Sequence, residues 1–189
     1  MNANDSTGTA TGGADVGTGS RTGDLEPAGD LWKLRFTRDL AHPPEKVWRA
    51  VSEPGHLAAW FPQRIVGEWV VGAPLRFESP GGEFPGFDGE VLACEPPSLL
   101  EFRWGTDVIR FEIVPHDGGC TFVLTDVFGE LGKAARDAAG WHACVDLLEH
   151  HLLGATAPWP SGERWSQVHP GYVRKFGPAA ATMGPPAAS

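Results

Sequence analysis

The sequence has no cluster of positive charge. Its 189 residues carry a formal net charge of −9, and lysine and arginine never form a run. Nucleic acids and anionic membrane surfaces bind proteins mainly through clustered lysine and arginine. The composition therefore argues against nucleic acid or an anionic membrane as the main partner, and it favours a neutral or cationic small molecule.

Cysteine is also scarce, and long apolar runs are missing. Cys94, Cys120 and Cys144 lie far apart without a CxxC pair, so neither a zinc knuckle nor a disulfide framework is indicated. The N-terminal segment has no apolar core of signal-peptide length, and no stretch approaches the roughly 18 apolar residues of a membrane span. We therefore expect a cytoplasmic protein with reduced cysteines and no membrane insertion.

The common catalytic and nucleotide-binding motifs are missing too. The chain has no GxSxG motif for a serine nucleophile, and no GxGxxG or GxxxxGKS/T loop for a nucleotide phosphate. The lone thiol of Cys144 is typical of a small buried apolar group. We therefore expect no cofactor, and covalent catalysis has little support.

Composition divides the chain into four segments. Residues 1–30 and 177–189 are rich in small residues and bury too little apolar surface to offset the entropy of ordering, so we expect disordered tails. Residues 31–153 have the patterning of one globular domain. Residues 154–176 contain four aromatic side chains, and we expect this extension to pack on the domain or on a second subunit, which would make a homodimer.

The domain alternates short β-type runs with turns rich in Gly, Pro and Asp. Two short helices are predicted between the first two strands, over residues 43–51 and 52–61. Strands connected this tightly form an antiparallel meander, so the pattern predicts an α+β fold. The seven predicted strands cover residues 31–40, 64–71, 74–79, 88–95, 99–104, 108–114 and 120–128.

The last part of the domain has the periodicity of a long helix. Apolar residues recur at spacings of four and three, which is typical of a helix lying on a sheet. The stripe consists of Ala134, Ala138, Trp141, Val145, Leu148 and Leu152. On a different arc lie His142, Asp146, Glu149 and His150, which we interpret as a solvated face. A metal site there is the alternative, but it lacks an HExxH signature, so we expect no metal.

Four segments together carry a family resemblance. They are HPPEKVWRAVSEPGHLAAWF, GEVLACEPPSLLEFRW, HDGGCTFVLTDVF and the leucine-rich helix that follows Gly140. In this order they resemble the family related to the C-terminal domain of the heat-shock-protein-90 ATPase activator, within the START-like or SRPBCC superfamily. The resemblance implies a helix-grip fold, in which a curved seven-stranded antiparallel sheet grips the long C-terminal helix around a cavity for an apolar ligand.

The cavity is expected where the helix stripe has small side chains. Ala134 and Ala138 leave volume beside Trp141 and Val145, and Trp60 and Phe61 of the second short helix would form the roof. The alternative is that neighbouring side chains fill this space. Two polar residues complete the predicted site: the carboxylate of Asp126 shares strand parity with apolar neighbours, and Arg103 is a candidate partner for it.

Three functions follow from this arrangement. We expect a protein that binds an apolar, lipid-like or polyketide-like small molecule and is not an enzyme. In the second interpretation, a cyclase or hydrolase acts on an apolar substrate with Asp126 as its general acid or base. The third is a co-chaperone or protein-interaction module, which is less favoured because the folded N-terminal domain of the eukaryotic co-chaperone has no counterpart in residues 1–30.

Overall fold

In the part of the chain that the structure describes, a curved antiparallel sheet of eight strands carries a long helix across its inner face. The computed structural model describes residues 21–82, 85–160 and 162–184. The strands are β1 (Asp24–Ala28), β2 (Leu31–Leu40), β3 (Arg64–Val66), β4 (Pro74–Glu78), β5 (Phe87–Glu95), β6 (Leu99–Trp104), β7 (Asp107–His116) and β8 (Gly119–Phe128). The helices are α1 (Pro44–Ser52), α2 (Pro54–Leu57), α3 (Ala134–Leu152) and α4 (Glu163–Phe176), and single helical turns precede α3 and follow α4.

The sheet order places the first strands beside the last one. Neighbouring strands follow the order β1-β2-β8-β7-β6-β5-β4-β3, so β3 to β8 form the predicted meander and β2 pairs with β8. Alternate residues of β8 point inward, among them Phe122, Leu124, Asp126 and Phe128, all of them buried. These inward side chains face α3.

The helix-grip architecture is confirmed. All six residues of the predicted apolar stripe are buried, which shows that α3 contacts the core through this face. The two short helices α1 and α2 lie between β2 and β3, as predicted. Among the described residues, none of the helices combines the length and apolarity needed to cross a membrane.

The prediction of seven strands is wrong, because the segment before residue 31 also contains a strand. Residues 1–20 lie outside the described part of the chain, but Asp24–Ala28 pairs with β2 over five positions. Just before it, Gly23 packs on the Phe36 ring so closely that an added Cβ would lie 2.3 Å from Cζ. Composition could not reveal this strand, because an edge strand is held by backbone hydrogen bonds and needs few apolar side chains.

Two other boundaries also differ from the prediction. The run 64–71 is a strand only to Val66, because Gly67 has a φ of 145°, which breaks the extended conformation. The tail predicted from residue 177 is ordered up to residue 184, where the described chain ends. There Ala180 is buried and the Met183 N–H donates to the Gly132 carbonyl over 3.0 Å. Small residues dock here because they fit against a neighbouring backbone.

Candidate functional site

The residues predicted to surround a cavity are buried, and Trp60 and Phe61 lie among other aromatic side chains. Trp60 and Phe61 are 2% and 5% exposed, and Ala134, Ala138 and Val145 are fully buried. The ring of Phe61 lies within 6.5 Å, centroid to centroid, of each of its aromatic neighbours, Trp60, Phe77, Phe102, Phe111 and Trp141. Phe61 and Trp141 therefore pack within an aromatic cluster that includes Phe77, Phe102 and Phe111 of the sheet.

A pocket lies on the other side of Trp141, between β6, α3 and α4. Its volume is about 200 Å³, and it is partly open to solvent. Three of its nine lining residues are tryptophans, namely Trp104, Trp141 and Trp165. We call it the tryptophan pocket; the remaining lining residues are Pro62, Gln63, Arg136, Asp137, Gly140 and Cys144.

All three indole N–H groups of the tryptophan pocket donate hydrogen bonds to acceptors of the protein itself. Trp104 donates to Gln63 Oε1 over 3.2 Å, and Trp165 donates to the Arg136 carbonyl over 3.1 Å. Trp141 donates to Asp126 Oδ2 over 2.8 Å. Because these donors are engaged by the protein, the indoles offer an occupant their aromatic rings and not a hydrogen bond.

Gly140 gives the tryptophan pocket part of its space. It lies inside α3, where glycine costs roughly 1 kcal/mol relative to alanine. No φ in the left-handed region and no close backbone neighbour requires a glycine here, since an added Cβ would meet no heavy atom within 4 Å. A side chain at this position would enter the pocket.

Asp126 lies behind Trp141 on the inner face of the sheet, as strand parity predicted. Its side chain is fully buried, and Oδ1 has no hydrogen-bond partner among the described residues. Burial, followed by the negative charge of Asp107, raises the pKa of Asp126 to about 7, although the hydrogen bond from Trp141 opposes the shift. Asp126 does not line the tryptophan pocket itself.

Asp126 belongs to a group of three carboxylates. Single oxygen atoms of Asp107, Asp126 and Asp137 lie within 4.8 Å of one another, a grouping that could hold an ion. Lys133 already places its ammonium there, in an ion pair with Asp107 and 3.3 Å from Asp137. Arg136 donates to Asp137 over 2.7 Å. The lysine thus supplies the cation for this group.

Arg103 does not join Asp126, so this predicted pairing is wrong. Arg103 is exposed and lies opposite Val108 on β7, which in turn lies opposite Val127 on β8. Val127 neighbours Asp126 along the strand and therefore points to the other face. In β6, the apolar residues Leu100 and Phe102 share one face. Arg103 falls on the opposite parity, and this pattern could have placed it on the outer face.

The thiol of Cys144 lines the tryptophan pocket but is not activated. Burial raises its pKa to about 12. The thiolate is the nucleophilic form of cysteine, and it is absent at neutral pH when the pKa is this high. Cys144 is therefore a wall residue whose burial favours the neutral thiol.

The polar arc of α3 is not a solvated face, so this prediction is also wrong. His142 and Asp146 are buried because α4 covers this side of α3. Asp146 accepts hydrogen bonds from Arg38 and Arg164 over 3.3 and 2.7 Å. Burial opposes ionisation of Asp146, but the hydrogen bonds from His142 and Arg164 hold its pKa well below the ordinary value.

The same buried network ties residues 21–23 to the domain. The Tyr172 hydroxyl accepts the Gly23 N–H over 2.8 Å and lies 2.8 Å from His142 Nδ1. Arg21 donates to Asp146 and, over 2.5 Å, to Glu149. The arginines engage both carboxylates of this arc, so these side chains hold residues 21–23 and α4 on α3 and do not form a set of free metal ligands.

Comparison with known proteins identifies the fold. The sequence model of the family described as "Activator of Hsp90 ATPase homolog 1-like protein" matches residues 41–152. No curated protein is similar enough to count as a match. Among solved structures, a conserved protein of unknown function from Enterococcus faecalis is 20% identical with a TM-score of 0.68, covering 82% of this chain and 90% of its own. CalU16 from Micromonospora echinospora is 19% identical with a TM-score of 0.64, covering 82% and 94%.

Proposed function

This chain belongs to the Activator of Hsp90 ATPase homolog 1-like family, and we propose that it binds a small molecule in the tryptophan pocket. The fold of this family commonly binds ligands. The pocket differs from the cavity expected from the sequence, because it lies outside Trp141 and not beneath the alanines. Its volume of about 200 Å³ is below the roughly 300–1,000 Å³ of sites for drug-sized ligands. The occupant is therefore small.

One observation carries the proposal: three indoles surround the tryptophan pocket, and α3 has a glycine, Gly140, where a side chain would enter it. Indoles whose N–H groups are engaged elsewhere provide rigid, mostly apolar walls. Alanine at position 140 would meet no atom and would favour the helix, yet the position holds glycine. A ligand-binding site accounts for the presence of glycine at position 140.

The enzymatic alternative has less support. Asp126 has a pKa of about 7, which suits a general acid or base. A proton-transfer group must lie within hydrogen-bond reach of the substrate. Asp126 is fully enclosed and is not part of the pocket wall. Binding without turnover is therefore the function that this geometry favours.

The proposal is tested by filling the pocket. Gly140→Leu places a side chain in the tryptophan pocket, and Gly171→Leu, at a helical glycine of α4 with a nearest atom at 4.0 Å, is the matched control. The probes are choline, indole and dimethylbutanol, the uncharged isostere of choline in which carbon replaces nitrogen. Binding is measured by isothermal titration calorimetry, and near-ultraviolet circular dichroism checks each fold.

We expect at least one probe to bind the natural protein and Gly171→Leu with a Kd on the order of 1 mM, as suits a very small ligand. Gly140→Leu should weaken that binding at least tenfold. If no probe binds the natural protein, or if Gly140→Leu binds equally well, the tryptophan pocket is not the binding site.

A further inference from the structure

The charges around Trp141 do not balance. Asp107 and Asp137 are paired with Lys133 and Arg136, so two carboxylates meet two cations. Asp126 is the third carboxylate, and within the described part of the chain its only donor is the neutral indole N–H of Trp141. When Asp126 is ionised, one negative charge is left over directly behind the pocket wall.

Trp141 connects this charge to the tryptophan pocket. Its N–H donates to the buried carboxylate over 2.8 Å, while the same indole forms part of the pocket wall. Donation to an anion shifts electron density into the indole ring, which makes its π face more negative. A cation near a tryptophan face is attracted by this ring charge, most strongly when it is desolvated.

The hydrogen-bonding capacity of the pocket limits which cation fits. The three indole donors point at protein acceptors, and the carboxylate of Asp137 is shared by Lys133 and Arg136. A primary ammonium would lose hydration there and would have to compete with Lys133 and Arg136 for the Asp137 carboxylate. An alkylated ammonium needs no hydrogen-bond acceptor, and the three indoles of the wall offer it aromatic contact.

We propose that the tryptophan pocket binds an organic cation with an alkylated ammonium group, held by the rings of Trp104, Trp141 and Trp165 and by the charge of Asp126 behind Trp141. This inference rests on the proposed function, since it names the ligand class of the same pocket. The net charge of −9 agrees with a cationic ligand. Arg136 also lines the pocket, but its guanidinium is held by Asp137.

The binding of such a cation depends on pH through Asp126. The groups facing Asp126 are Asp107 of β7, Lys133 before α3, and Asp137 and Trp141 of α3. The ion pairs keep Lys133 charged, because they raise its pKa although burial lowers it. His169, whose ring stacks on Trp165 at 4.3 Å, also titrates, with a pKa that burial lowers. A variant at Asp126 is therefore needed to assign the pH dependence.

The test compares choline with dimethylbutanol by calorimetry at pH 8 and pH 5.5, in the natural protein and in Asp126→Asn. The amide keeps an acceptor for Trp141 but carries no charge. We expect choline to bind at least fivefold more tightly than dimethylbutanol at pH 8. The preference should fall at least threefold at pH 5.5, and it should be small and independent of pH in Asp126→Asn.

The outcomes separate this inference from the proposed function. If dimethylbutanol binds as tightly as choline at pH 8, and Gly140→Leu blocks both, the pocket is a ligand site but not one for cations. If the preference for choline persists in Asp126→Asn at pH 8, the role of Asp126 is wrong. If no probe binds the natural protein, the proposed function itself fails. Should Asp126→Asn not fold, the same comparison is made in His169→Gln, which removes the other titrating group beside Trp165. A preference that still falls at pH 5.5 in His169→Gln supports the inference, and a constant preference overturns it.

Discussion

The indole N–H of Trp141 donates to Oδ2 of Asp126 over 2.8 Å, and both side chains are almost completely buried. This hydrogen bond joins the middle of α3 to the last strand of the sheet. It fixes the Trp141 ring that separates the aromatic core from the tryptophan pocket. It also leaves the second oxygen of the carboxylate without a partner among the described residues.

Asp126→Asn should change how stability depends on pH. Burial raises the pKa of Asp126 from 3.8 to about 7, so the folded protein holds a proton that the unfolded chain has released. The contribution of Asp126 to stability is therefore complete below pH 4 and is lost as the pH rises through 7. Relative to the natural protein, Asp126→Asn should gain up to about 1.4 kcal/mol in unfolding free energy per pH unit between pH 4 and 7.

Urea denaturation at several pH values measures this difference. Asp88→Asn is the control, because the Asp88 side chain is 83% exposed and its substitution should shift stability little at any pH. A difference between the natural protein and Asp126→Asn that stays constant from pH 4 to 8 would mean that Asp126 is ionised throughout.

Arg38→Met should be strongly destabilising. Arg38 points inward from β2, is 3% exposed, and donates to Asp146 and Glu149. Its removal leaves buried carboxylates with fewer partners, and breaking a buried pair costs about 3–5 kcal/mol. We expect the lower end of that range, because Arg164 still bonds Asp146.

The same substitution on the exposed face of β2 is the control. Arg35→Met should change the unfolding free energy by less than about 0.5 kcal/mol. Both variants are compared by urea denaturation at pH 7. Equal effects of the two substitutions would show that the buried charge network contributes nothing specific.

Tyr172→Phe should release the segment before β1. The phenylalanine ring keeps the packing against Phe36, but the Gly23 N–H loses its acceptor. Loss of one partner from a buried hydrogen bond costs about 1–3 kcal/mol. Hydrogen exchange followed by NMR should show faster exchange at Gly23 and unchanged protection at Phe36. Unchanged exchange at Gly23 would mean that Lys175, which donates to the Gly23 carbonyl, is sufficient to hold the segment.

Gly140→Ala should stabilise the protein. The added methyl group meets no atom, and alanine is favoured over glycine inside a helix by about 1 kcal/mol. Thermal unfolding by calorimetry should therefore show a higher Tm for Gly140→Ala. A lower Tm would indicate that position 140 is constrained by packing and does not open a pocket.

The sequence predicted those parts of the molecule that depend on local periodicity. The stripe from Ala134 to Leu152 and the inward parity of Asp126 follow from helix and strand geometry alone. The burial of His142 depends on α4, a helix from a segment that composition marks only as aromatic. No local pattern joins Trp165 of α4 to Trp104 of β6, so the tryptophan pocket appears only when the strands and helices are assembled.

The most direct test of the tryptophan pocket uses the indole N–H signals of the eight tryptophans, assigned through single Trp→Phe variants. Choline is titrated into uniformly nitrogen-15-labelled protein at pH 8, and shifts are followed in two-dimensional proton–nitrogen spectra. We predict that the signals of Trp104, Trp141 and Trp165 move together to saturation, and that Gly140→Leu abolishes these shifts. The largest shift at Trp159, which lines a separate pocket of about 360 Å³ beside Arg21 and Arg164, or no saturable shift at all, would contradict the account.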